Sequence, residues 1–112
     1  MALTRSFRET IVRHAREDPA FRAALVEEAT QNIMNGNLET ALGQLRDMVN
    51  ATIELDVISD QTDIPKTSLM RMLSDRGNPR AGNLTAVLKA VGQSVGVRIS
   101  VHTEPMEEPV RA

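Results

Sequence analysis

Hydrophobic residues recur every three or four positions along most of the chain, which is the spacing of one face of an α-helix. This spacing predicts helices within residues 1–17 and over about residues 19–34, 38–51, 54–62, 65–74 and 81–91. Asp18 and Pro19 are a natural cap and first helical residue, and Gly36 suits the left-handed residue that follows a helix. The predicted fold class is therefore mainly α, with five to six helices.

The pattern changes near the C-terminal end. Residues 95–101 alternate between branched apolar residues and small or polar ones, which predicts a β-strand. A single strand cannot pair its own backbone groups, so we expect it to pair with the same strand of a second copy in a homodimer. The alternative partners are a toxin or an N-terminal segment of the same chain. The dimerisation residues would be Val95, Val97, Ile99 and Val101. Residues 103–112 contain two prolines and no periodicity, and we expect a disordered tail there.

Residues 58–73 have the pattern of a helix, a tight turn and a second helix. Asp63 stands at the turn, where a residue that tolerates a left-handed backbone is needed. Ser59, four residues earlier, is small enough for two helices to cross closely, and Ile64 would fill the wedge between them. Pro65 has its φ preset for the start of a helix. Together these residues predict a helix-turn-helix.

The outer face of the second helix is polar, whereas Leu69, Met72 and Leu73 form its apolar stripe. Polar and cationic side chains on such a face can bond phosphate oxygens or base edges. The loop that follows is rich in turn-forming residues and can clamp a DNA backbone. The predicted DNA-binding residues are Lys66, Thr67, Ser68, Arg71, Arg76, Asn78 and Arg80.

Charge is distributed unevenly along the chain. The net charge is −2, but residues 64–92 hold five cations and one anion, for +4, so the remainder carries −6. An acidic protein needs such a local patch to bind a polyanion. Residues 1–63 hold six arginines and eleven carboxylates. That half would either complete the core or present a surface to a protein partner, and both interpretations stay open.

Composition narrows the function classes. A length of 112 residues predicts one domain, which we place over residues 1–102. Its parts are the N-terminal helices (1–52), the DNA-binding helices (53–92) and the strand (95–101). The chain has no cysteine, so cysteine zinc sites and disulfides are excluded. Its two phenylalanines, without Trp or Tyr, argue against stacking of single-stranded nucleic acid. The sequence has no apolar run long enough for a membrane span or a signal peptide, so we expect a cytoplasmic protein.

No pattern of catalytic residues stands out. His14 and His102 are the only histidines and are far apart in sequence. The chain has no glycine-rich phosphate loop, paired histidines on a helix or nucleophile elbow. We therefore expect no enzymatic activity, no cofactor and no metal site.

The stretch TSLMRMLSDRGNPRAGNLTAVLKAVGQSVGVRISV, residues 67–101, preceded by TDIP, resembles the lambda-repressor-like helix-turn-helix class. More narrowly, it resembles the HigA-like antidote proteins of bacterial addiction modules. The residues that carry the resemblance are Leu69, Arg71, Leu73, the Gly77-Asn78-Pro79 turn, Leu84, Leu88 and the valine-rich strand. Residues 1–29 are also similar to the N-terminal helices of such short regulators.

This resemblance implies a homodimeric, nucleoid-associated bacterial repressor that binds a palindromic operator in double-stranded DNA. In true antitoxins it also implies neutralisation of a small ribonuclease toxin of the RelE/HigB type. The expected function is thus a sequence-specific transcriptional regulator, the antitoxin of a type II toxin-antitoxin module that autorepresses its operon. The alternative is a protein-interaction module that mainly binds and inhibits a partner, with weak or no DNA binding. The +4 segment favours the first, and the acidic N-terminal helices favour the second.

Overall fold

The computed structural model describes residues 17–52 and 55–107, together with Glu9, Thr10 and Arg13. Five helices have described bounds: α1 (Pro19–Met34), α2 (Leu38–Thr52), α3 (Leu55–Thr62), α4 (Lys66–Met72) and α5 (Ala81–Ser94). Glu9, Thr10, Arg13 and Glu17 are also helical, but most of the helix predicted within residues 1–17 lies outside the described residues. The prediction of a mainly α-helical chain is confirmed. None of the described helices is long and apolar enough to cross a membrane.

Both ends of α1 have the predicted caps. The Asp18 carboxylate accepts hydrogen bonds from the backbone N–H groups of Ala20 at 2.9 Å and Phe21 at 3.3 Å. At the other end, Gly36 has φ 83, and the N–H of Asn37 donates to the carbonyl of Asn32 at 2.8 Å. These bonds satisfy backbone groups that a helix end leaves unpaired. The short connection then lets α2 pack along α1.

One hydrophobic core joins all five helices. It contains no aromatic side chain among the described residues and is built from aliphatic side chains and methionine. Its largest fully buried members are Val26, Leu42, Leu45, Ile58, Leu69, Val87 and Val91. Burying one such side chain contributes roughly 1.5–3 kcal/mol, so the shared core is the main stabilising term. Leu42, Leu45 and Val49 of α2 are all buried, at the helical spacing of the apolar pattern.

The turn between α3 and α4 has the backbone that the sequence predicts. Asp63 has φ 58, in the left-handed region, and no other described non-glycine residue has a positive φ. The Ser59 hydroxyl donates to the carbonyl of Ile64 at 2.7 Å, and the N–H of Ile64 donates to the Thr62 hydroxyl at 3.3 Å. Ile64 is partly buried against the core. Two α3 side chains thus hold the residue that follows the turn.

Helix α4 is shorter than predicted. Pro65 has ψ 146 and is the residue before the helix, not its first helical residue, so α4 begins at Lys66. The helix ends at Met72 because Ser74 bonds back to the carbonyl of Arg71, through its N–H at 3.2 Å and its hydroxyl at 2.6 Å. This tighter bonding replaces the last helical turn that was predicted to reach residue 74.

The end of α5 differs from the prediction, which ended this helix at about residue 91. Helix α5 continues to Ser94, and the left-handed residue is Gly96, with φ 74. The N–H of Gly96 donates to the carbonyl of Gln93 at 3.2 Å, and that of Val97 donates to Gly92 at 2.7 Å. This pair of bonds is a Schellman motif, which closes a helix at a glycine. Val95, predicted to begin the strand, is instead the buried C-cap of α5.

Residues 97–106 form no strand and no other regular element. Val97 and Ile99 are partly buried against the core, whereas Val101 is 84% exposed. Within the described part of the chain, the backbone groups of residues 98–107 have no hydrogen-bond partner. The strand predicted over 95–101 is not confirmed: Val95 belongs to the end of α5, and the described residues of the single chain offer residues 97–101 no second edge to pair with. Residues 103–107 are exposed, and the rest of the predicted tail lies outside the described residues.

The positive φ of Asp63 predicts opposite effects of glycine at two neighbouring positions. Asp63→Gly should stabilise the fold by up to about 1 kcal/mol, because glycine removes the cost of a left-handed backbone. Asp60→Gly, inside α3, should destabilise it by about 0.5–1 kcal/mol, because glycine there only adds conformational freedom to the unfolded chain. Asp63→Val should destabilise most, since a branched side chain fits the left-handed region poorly. Urea unfolding of the three variants measures these differences, and equal midpoints for Asp63→Gly and Asp63→Val would contradict the turn geometry.

Candidate nucleic-acid interface

An open groove of roughly 310 Å³ lies between α4, the loop after it and the first turn of α5. Arg71 comes from α4, and Arg76 and Arg80 come from the loop. The structure brings together five of the seven predicted DNA-binding residues along this groove: Ser68, Arg71, Arg76, Asn78 and Arg80. The two that do not line it are Lys66 and Thr67.

The groove has a single sign of charge. Three arginines and no carboxylate are among the described residues that line it. The three arginines are exposed, so their guanidinium groups remain hydrated and available to a ligand. Ser68, Asn78 and Asn83 add neutral donors and acceptors. This combination suits a phosphate backbone, which arginine can bind in a bidentate manner.

Arg46 of α2 holds the start of the loop. Its Nη1 donates to the carbonyl of Leu73 at 2.8 Å and to the Asp75 carboxylate at 3.1 Å. Asp75 is the one anion of the cationic segment 64–92, and Arg46 partly neutralises it. The pair is exposed, so it contributes only about 0–1 kcal/mol to stability, but it fixes where the loop leaves α4. Sequence reasoning missed Arg46, because no local pattern joins two residues that are 29 positions apart.

Gly77 determines how closely the loop folds back onto α4. A Cβ atom at this position would overlap the carbonyl oxygen of Met72 and lie 2.7 Å from its carbonyl carbon. The N–H of Gly77 donates to the carbonyl of Ser74 at 2.9 Å. Only a residue without a side chain permits this approach, and the approach places Arg76 and Asn78 along the groove.

Lys66 and Thr67 lie at the start of α4, and both are exposed. The Lys66 ammonium group is 2.9 Å from the carboxylate of Asp56 on α3, and both side chains are more than half exposed. Lys66 therefore contributes less free positive charge than its sequence position indicates. At about 100° per residue, Thr67 lies beside Arg71 on the side of α4 that faces away from Leu69.

The four predicted dimerisation residues have three different environments. Val95 is buried beneath the end of α5. Val97 and Ile99 line a second groove of roughly 550 Å³ against α5, and the side chain of Ile99 passes close to Gly92. Val101 projects into solvent. Three of the four thus pack on their own chain, and Val101 is the one left for another surface.

The close approach at Gly77 predicts a strong effect of one methyl group. Gly77→Ala should lower the free energy of unfolding by about 1–3 kcal/mol, or displace the loop, because the added carbon overlaps the Met72 carbonyl. Gly82→Ala is the matched control: nothing lies within 4 Å of a Cβ there, and alanine favours the helix that begins at this point. Chemical denaturation compares the two, and equal stability of both variants would show that the loop does not need glycine.

Comparisons with protein-family models, curated proteins and solved structures found no match to this chain. No group of three potential metal ligands meets within the described residues. The shape and the positive charge of the groove are therefore the features that point to a function.

Proposed function

We propose that this protein is a sequence-specific regulator that binds double-stranded DNA, with α3 and α4 as its helix-turn-helix. The observation that carries this proposal is the groove beside α4, which is lined by three arginines and no carboxylate among the described residues. A cationic surface of this kind on an acidic protein points to a localised polyanion site.

Helix α4 would enter the major groove. Its inner face is anchored in the core by Leu69, which is fully buried, and by Met72. Its outer face carries Thr67 and Arg71, whose side chains can bond base edges. The left-handed turn at Asp63 fixes the angle at which α4 leaves α3. These features support α4 as the helix that would read the major groove.

The loop and α5 would contact the DNA backbone. Arg76, Asn78 and Arg80 offer guanidinium and amide donors along one edge of α4. The N-cap of α5 is Arg80, whose side chain makes no capping hydrogen bond, so the N-cap side chain does not compete with an oxygen ligand for the first-turn N–H groups of α5. Backbone contacts on this side would orient α4, and base contacts would specify the sequence.

A second function concerns a protein partner. The exposed residues of α1 and α2 include Glu27, Glu28, Glu39 and Asp47, and Met34 at the end of α1 is 74% exposed. Exposed carboxylates and an exposed apolar side chain on these two helices fit a basic partner protein. The resemblance to antitoxins makes a basic ribonuclease toxin of the RelE/HigB type the expected partner. If DNA binding is absent, binding to such a partner is the function that remains.

We also propose that residues 98–101 pair with the same residues of a second copy. Their backbone groups have no partner within the described residues, and Val101 is 84% exposed. Pairing of two identical edges across a two-fold axis would satisfy those groups and cover Val101. Such a dimer would read a palindrome if its two α4 helices stood about 34 Å apart.

The groove predicts which arginines give affinity and which gives sequence preference. On a duplex selected from a random pool, Arg71→Ala should cost about 1–3 kcal/mol and relax preference at one base pair. Arg76→Ala should weaken binding to all duplexes and lower the slope of log K against log salt by about 1. Fluorescence anisotropy over a range of salt concentrations measures both effects.

Lys89→Ala is the control for charge alone, because Lys89 lies on α5 along the other groove. The Lys89→Ala variant should change the affinity for the selected duplex less than Arg76→Ala does, and it should also change the salt slope less. Parental affinity for both arginine variants would refute the assignment of this surface to DNA.

If residues 98–101 pair, a carboxylate introduced at position 101 should affect dimerisation differently from one introduced at position 100. Val101→Asp should weaken dimerisation, because it puts a carboxylate where a second copy would cover an apolar side chain. Ser100→Asp, on the other face of the same segment, should weaken it much less. Both residues are exposed, so neither variant should unfold the single chain. Sedimentation at micromolar concentration decides it: a monomeric parent protein, or equal dimerisation by both variants, would rule out this pairing.

A further inference from the structure

Helix α4 exposes one large apolar side chain on its outer side. Met70 is 61% exposed, whereas its neighbours Leu69 and Met72 are 0% and 8% exposed. Because most of the Met70 side chain remains in water, it contributes little to the stability of the fold. A single exposed apolar side chain is common on protein surfaces, so the position of Met70 on α4, and not its exposure alone, indicates what it can contact.

The helical geometry places Met70 next to the residues proposed to read bases. At about 100° per residue, Met70 lies about 60° from Thr67 and about 100° from Arg71 around the axis of α4. Ser68 and Met72 line the cationic groove, so Met70 lies on the opposite side of the outer face. Lys66, one turn earlier, is paired with Asp56. The outer face therefore runs from the groove through Arg71 and Thr67 to an apolar end at Met70.

We propose that Met70 is a specificity-determining residue that packs against the C5-methyl group of a thymine in the major groove. This inference rests on the proposed function. Thymine is the base that presents an apolar group on the major-groove edge, and apolar side chains recognise it by direct contact. The surroundings favour this partner over a protein, because Met70 is a single apolar side chain between a threonine, an arginine and a lysine. The unbranched, polarisable thioether can adapt to one methyl group without a preformed pocket.

The test removes the methyl group from the DNA and the side chain from the protein. Duplexes are first selected from a random pool with the parent protein, and each thymine pair related by the palindrome is then replaced with uracil. Uracil keeps every hydrogen-bonding group and lacks only the methyl. The parent protein should bind about fourfold more weakly per half-site at one such position, the fold-change that corresponds to about 0.8 kcal/mol for one buried methyl group.

The variant Met70→Ala should bind the thymine duplex more weakly by a similar factor and should lose its sensitivity to uracil at that position. Met70→Leu should keep most of the sensitivity, because it restores an apolar side chain of similar volume. Met106→Ala is the control, since Met106 is 72% exposed in the C-terminal segment and far from α4 in sequence. It should bind both duplexes like the parent. Circular dichroism confirms that each variant has the helical content of the parent.

The outcomes separate this inference from the proposed function. If no duplex is selected, and binding to DNA does not depend on Arg71 or Arg76, both are overturned. If a duplex is selected and bound through those arginines but tolerates uracil at every thymine, only the role of Met70 is overturned. If Met70→Ala keeps the parental sensitivity to uracil, another residue reads the methyl group and the assignment to Met70 is wrong.

Discussion

The candidate interface depends on the packing of one short helix into a core that the other helices build. Helix α4 has only seven residues, and a helix of that length is not stable in water by itself. Leu69 is fully buried and Met72 nearly so, and the core around them comes from α1, α2, α3 and α5. Because tertiary packing holds α4, its outer face is free to carry polar and cationic residues that give little stability. The same packing fixes the orientation of that face relative to the rest of the molecule.

Contacts at both ends of α4 complete this arrangement. At its start, Ser59 bonds the carbonyl of Ile64 directly after the left-handed Asp63. At its end, Arg46 bonds the carbonyl of Leu73 and also pairs with Asp75. The acidic first half of the chain thus supplies the cation that partly neutralises Asp75, the one anion of the cationic segment 64–92. A protein of net charge −2 can in this way present a local positive surface, since exposed charges more than about 8–10 Å away are largely screened at physiological salt.

The features that could be predicted from the sequence are those with a local cause. The cap at Asp18, the helix end at Gly36 and the left-handed turn at Asp63 each depend on a few adjacent residues, and all three are confirmed. The end of α5 was mispredicted because two glycines stand four positions apart, and only the fold decides that Gly92 faces a backbone carbonyl while Gly96 turns the chain. The pairs Arg46–Asp75 and Lys66–Asp56 were missed for the same reason, since each joins residues on different elements.

Helix α5 connects the two surfaces on which the proposed function depends. Its first turn borders the cationic groove through Asn83, and its last turns hold Val97 and Ile99 beside Gly92. A helix of 14 residues is about 21 Å long and does not bend easily over that length. If residues 98–101 of two copies paired, the two rigid α5 helices would therefore fix the position of one copy's cationic groove relative to the other's. The geometry of the dimer would then set the spacing of the two operator half-sites, because a shift of the paired segment would move α5 and the groove together.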